Sequence, residues 1–370
     1  MASATEAETI DAAGTAAQGS VMSTMSGSFV LNIVLASKMD KVWSILNSLQ
    51  IVELIRLFDI MTPGNINAFT QFFEMITSVK LFDSEELLSD WTYIPEMDPQ
   101  SLNFQNAGYE TTLFILNASS FIVIYALQLS LLPLILLVWG MEKICKCARR
   151  IRNKLQEIVL WNSSIRVFMS GYIDICLFSM INIAEILWID GLDIVKASNI
   201  MSYSMVIICS LVPFVLLGHA FLRRKDFQKP SFMKRVGTWI DGMKMASGEM
   251  MIPIVCYAML FFIRRVVLCL TLVFWADFFF GQLLVQFIVS ITLLFVINLF
   301  HPLQTKFATR IETFNEATNI FVLYLLMLFS DFNHDYDQRS NVGTVYIGVV
   351  IFFAVVHLQF MIVDSIKQLI

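Results

Sequence analysis

The chain has 370 residues, of which 57% are hydrophobic and only 15% charged, and its mean hydropathy is +0.70. Soluble domains are about half apolar and about a quarter charged, so water is not the main solvent of this chain. The formal charge of −5 gives no basic balance that would imply a nucleic-acid partner.

Residues 1–20 carry Glu6, Glu8 and Asp11 but neither Lys nor Arg, so they lack the basic start of a cleavable signal peptide and read as a short polar extracytoplasmic tail. Residues 21–61 hold two candidate spans. The first, 21–36, is rich in Ser and Met. The second, 42–60, contains Glu53, Arg56 and Asp59, which suit a helix lying on the membrane surface as well as one crossing it. The segment 62–111 sets eight carboxylates against Lys80 alone and is punctuated by Pro63-Gly64, Pro95 and Pro99, as expected of a small folded cap outside the cytoplasm.

A crossing helix needs about 20 mostly apolar residues, because inside hydrocarbon it must satisfy its own backbone. Residues 112–370 supply a seven-span core on this measure, at 112–140, 167–189, 202–221, 266–279, 283–300, 317–330 and 345–363. The apolar run 248–262 precedes Arg264 and Arg265 and reads either as an interfacial elbow or as the lower part of one long helix. Basic residues fill the loops 141–166 and 222–249, while Asp190-Gly191-Leu192-Asp193 and 331–337 are acidic. Lys and Arg collect in cytoplasmic loops. With nine crossings, 21 of the 25 basic residues lie on or near that side, which places the N-terminus outside and the C-terminus in the cytoplasm. The fold class expected is therefore all-α, a polytopic transmembrane helix bundle of about nine spans with a small extracytoplasmic cap.

The six cysteines avoid the segments assigned to the outside, so no disulfide framework is expected. Cys145 and Cys147, just inside the third span, are placed for acylation. The four histidines are scattered, and the chain has neither an HExxH motif nor a phosphate-binding glycine loop. No metal site, cofactor or enzymatic activity is expected.

Asp174 and Glu185 in the fourth span stand eleven residues apart, about three turns up one helical face, with Ser170 and Asn182 beside them. Ionisable groups in hydrocarbon are costly and usually face a bundle interior or a wet pathway. This row is the first candidate for a cation pathway; the alternative places Glu185 at the outer interface and pairs Asp174 with a neighbouring helix. Gln282, Gln286 and Asn298 on the seventh span form a second polar set, which either lines a pathway or bonds helix to helix. The link around Asp277 is too short for a re-entrant pore loop between the sixth and seventh spans. Arg149, Arg150, Arg223 and Arg224 either meet anionic lipid headgroups or serve only to set the orientation of the chain. Arg264 and Arg265, at the cytoplasmic entry of the sixth span, either snorkel to the interface or bind lipid phosphate.

Several strings carry a family likeness: Val42-Trp43-Ser44-Ile45-Leu46-Asn47-Ser48-Leu49-Gln50, Asn103-Phe104 with Gly108-Tyr109-Glu110, and Phe262-Ile263-Arg264-Arg265-Val266. Glu312-Thr313-Phe314-Asn315-Glu316, Phe329-Ser330-Asp331-Phe332 and Arg339-Ser340-Asn341-Val342-Gly343 continue it. In order and spacing these resemble the C-terminal membrane region of TRP-like proteins of ciliates and other protists, relatives of the fungal flavin-carrier and polycystin-like family. The resemblance implies cation-channel activity, often linked to calcium, and transfers no pore residue. Many such relatives carry a long cysteine-rich ectodomain, whereas about twenty residues precede the first span here. The expected function is a cation channel or channel-regulating subunit; the rivals are a non-conducting accessory subunit and a carrier of lipids or small molecules. The partners expected are the lipid bilayer, cations, and further copies of the chain or a larger membrane complex.

Overall fold

In a computed structural model the residues described are 111–141, 164–185, 193–223, 251–330 and 335–369, with short pieces between 54 and 109 and between 149 and 244. The expected tail, the first candidate span, Arg150, Arg224, Cys145, Cys147 and Asp190 lie outside them.

The described chain is helical, without a β-strand among the described residues; an isolated bridge joins Met243 to Leu303. The helices are α1 (Phe114–Asn117), α2 (Ser119–Ser130), α3 (Leu132–Met141), α4 (Ser164–Ser170), α5 (Tyr172–Ala184), α6 (Asp193–Leu222), α7 (Met251–Phe274), α8 (Phe279–Phe300), α9 (Lys306–Met327) and α10 (Tyr336–Leu369). Five stretches among the described residues are long and apolar enough to cross a membrane: Ser119–Met141, Asp193–Leu222, Pro253–Phe274, Phe279–Phe300 and Asp337–His357. This set is consistent with an integral membrane protein. Their outer faces carry bare apolar side chains, among them Leu136, Phe214 and Phe295, each about 60% exposed, a surface suited to lipid rather than water.

Two compact units divide the chain, 1–81 with 318–370 and 82–317. In the first, the Asn65 amide donates to Ser340 O at 3.0 Å and to Thr344 Oγ1 at 3.3 Å. Gly343 allows this approach, because a Cβ there would stand 2.7 Å from Asn65 Oδ1.

In the second unit α7 packs on α5, α6 and α8. It is the most enclosed of the candidate crossing helices, with 56% of its apolar window buried against 17–28% for the others. The run 248–262 therefore resolves from residue 251 onward as the lower part of one long helix, and the sixth span begins well before the expected residue 266. Arg264 and Arg265 consequently lie in mid-helix rather than at its entry.

One helical run bends at a glycine, and another runs on through a proline. Gly171 separates α4 from α5, although Gly171 N donates to Val167 O at 3.0 Å and Ile175 N to Gly171 O at 2.9 Å, so the ladder runs through the bend. A Cβ on Gly171 would overlap the ring of Phe121, so the site admits α2 only because it has no side chain. Pro213 lies inside α6 and has no N–H to give the carbonyl four residues back, that of Cys209. The Tyr172 hydroxyl replaces it, donating to Cys209 O at 2.6 Å. At its far end, α8 stops at His301, whose φ of 46° is left-handed, and Pro302 follows.

Candidate functional site: a buried charge cluster

The chemistry of α7 starts from a spacing. Tyr257, Arg264 and Thr271 recur every seven residues, two helical turns, and so share one stripe of about 20 Å along α7. Each meets a polar group on a neighbouring helix. The Tyr257 hydroxyl donates to Glu312 Oε1 at 3.0 Å. Arg264 Nη1 pairs with Glu316 Oε1 at 2.5 Å, with both side chains more than nine-tenths buried. Thr271 Oγ1 accepts from Gln286 Nε2 at 3.3 Å.

The partners on α9 are one turn apart and so project from the same face as each other. Glu312 also accepts from Asn315 Nδ2 at 3.0 Å, which leaves its two oxygens held by one hydroxyl and one amide. Arg265 turns back on its own helix, donating to Phe261 O at 3.1 Å with its guanidinium carbon 3.5 Å from the centre of the Phe261 ring. Arg264 and the two carboxylates of α9 thus meet between the helices, and Arg265 lies beside Arg264 on the chain. Pairing is what makes the burial of Arg264 and Glu316 tolerable, because removing one partner of a buried pair costs about 3–5 kcal/mol and replacing both by well-packed apolar groups is often neutral.

A second polar centre joins α5 to α6. Asn182 Oδ1 accepts from Ser198 Oγ at 3.0 Å and from Ser202 Oγ at 2.5 Å, and its amide donates to Asn199 Oδ1 at 3.2 Å. All four residues are buried.

The residues singled out from the sequence fall into three groups. Asp174 and Glu185 lie half-buried toward opposite ends of α5, Asp174 in its first turn and Glu185 at its C-cap. Asn182, between them, serves as glue between helices. Gln282 and Gln286 do so as well: the Gln282 amide donates to Thr271 O at 3.2 Å and to Trp275 O at 2.8 Å. Asn298 is exposed and bonds only its own helix in the described contacts, at Leu294 O.

Of the basic residues, Arg149 is exposed, and Arg223, just past the end of α6, is paired with Asp226 at 3.3 Å. Lys229 donates to the same carboxylate at 2.7 Å and, with Arg223, holds it below the usual carboxylate range. Arg264 and Arg265 are only 6% and 3% exposed and sit inside the helix bundle.

Sequence reasoning missed Glu312, Glu316, Tyr257, Thr271 and the Ser198–Ser202 turn as partners. The seven-residue recurrence on α7 and the one-turn spacing of the two glutamates are visible in the sequence, but which polar row meets which is a fact of packing. No family model, curated protein or solved structure matches the chain.

Proposed function

We propose that the chain is a nine-span membrane protein, its N-terminus outside and its C-terminus in the cytoplasm, that conducts cations or regulates their passage. The observation that carries this reading is the charge cluster on α7 and α9. Charged groups in a helix of crossing length are expensive, and they are retained where they line a pathway or couple moving helices. Arg264 and Glu316 are paired with each other, so selectivity is assigned to Asp174 and Glu185, the acidic row at the two ends of α5. Calcium is the cation that the TRP-like resemblance brings forward.

An accessory, non-conducting subunit is the second reading. It is supported by the use of Asn182, Gln282 and Gln286 to tie helices together. Purified protein in proteoliposomes separates the two through flux of monovalent and divalent cations, with Asp174→Asn/Glu185→Gln alongside. Flux that falls in the double variant supports conduction past those carboxylates; unchanged flux removes them from the pathway. No flux under any voltage or gradient favours the accessory reading, and lipid transfer between the same vesicles would favour a carrier.

A further inference from the structure

We infer that a small cluster of water molecules is bound between α7, α8 and α9 at the level of Arg264, in a site built from one buried donor and two buried oxygens. Arg264 Nε, Glu316 Oε2 and Ser290 Oγ are each buried with no hydrogen-bond partner among the described residues. Their residues are 6%, 4% and 1% exposed. Buried polar atoms are rarely left unpaired, so three in one region call for a ligand.

Register brings the three to one depth. Arg264 and Glu316 are already joined by their ion pair. Helices α7 and α8 are connected by only residues 275–278 and run antiparallel, with Gln286 bonded to Thr271 at one level and Leu293 and Ile297 packed with Tyr257 at another. Ser290 lies between those two levels on α8, as Arg264 does on α7. Ser290 also follows Gln282 and Gln286 at four-residue steps, and so belongs to the same buried stripe of α8.

The chemistry of the site selects its occupant. A cation would meet the guanidinium N–H, and an anion would meet the free oxygen of Glu316. Water both donates and accepts, and a buried molecule settles where it finds two to four polar partners. The site is therefore one for a neutral dipolar ligand, and it stands whether or not the chain conducts.

X-ray radiolytic footprinting of the full chain in nanodiscs tests this, because hydroxyl radicals formed from bound water label the side chains beside it. Leu293, one turn from Ser290, is expected to be oxidised several-fold faster than Leu272 and Leu177, which are equally enclosed and away from the trio. Ser290→Ala removes one partner with little change in volume and is expected to lower labelling of Leu293 while leaving that of the two control leucines alone. Labelling of Leu293 at the control rate in the unmodified chain would overturn the inference, with no variant needed. Fast labelling that Ser290→Ala leaves unchanged would overturn the assignment of Ser290 to the site. Neither readout depends on cation flux, so failure here is distinguishable from failure of the conduction reading.

Discussion

Replacing Tyr172 by Phe removes one oxygen and tests how α6 tolerates Pro213. The ring is fully buried and set edge-on to Phe168 and Phe262 at 5.5 and 4.9 Å between centres, contacts that Phe retains. What disappears is the donor 2.6 Å from the Cys209 carbonyl, an acceptor that Pro213 has already deprived of its helical partner. An orphaned buried acceptor costs about 1–3 kcal/mol. Hydrogen bonds between membrane helices measure lower, averaging about 0.6 and reaching about 1.7 kcal/mol. With a short bond and no N–H in place to substitute, the loss belongs near the top of that second range, about 1.4 kcal/mol, or about tenfold in the unfolding constant. In a Pro213→Ala background the residue at 213 regains its N–H and satisfies Cys209 itself. Tyr172→Phe is then expected to cost about 0.5 kcal/mol or less, giving a coupling near 1 kcal/mol between two residues that share one carbonyl. Equilibrium unfolding in mixed micelles measures all four corners of the cycle. Equal losses in the two backgrounds would refute the argument that the hydroxyl stands in for the missing amide.

Three other substitutions probe different parts of the packing. Arg264→Met leaves Glu316 buried and unpaired and is expected to cost about 3–5 kcal/mol, while Arg264→Met/Glu316→Leu regains most of that loss in the same unfolding assay. Asn182→Leu strips Ser198, Ser202 and Asn199 of their common partner at once; a loss of about 2 kcal/mol is expected, against nearly none for Asn298→Leu on its exposed face. Gly171→Ala drives a methyl into the Phe121 ring and should cost about 1–3 kcal/mol, part of which Phe121→Leu restores.

Much of the helical frame was legible because hydrocarbon imposes a simple rule, a long apolar run closed on its own hydrogen bonds. The expected spans at 202–221, 283–300 and 345–363 fall within α6, α8 and α10, each of which extends further. The run from 248 was harder, because two adjacent arginines look like a helix end when their partners are unknown. Glu316 lies 52 residues further on, and no local pattern in α7 announces it. Asn182 was conspicuous as an amide among apolar neighbours, but its bonds to a single turn of α6 are a fact of packing. Pro213 was likewise visible without its consequence, since only the fold brings Tyr172 to the carbonyl that proline orphans. The expected cap and first two spans fall mostly outside the described residues.

The central claim is that opposite charges from α7 and α9 meet inside the helix bundle and that the proposed passage of cations depends on their meeting. Charge reversal tests it most directly: cation flux into proteoliposomes is measured for Arg264→Glu, for Glu316→Arg and for the two combined. The account predicts that each single reversal, which sets like charges together in a buried, low-dielectric site, abolishes folded, flux-competent protein, and that the double reversal recovers a large part of both. A double reversal no better than either single one, or single reversals that fold and behave like the unmodified chain, would contradict it.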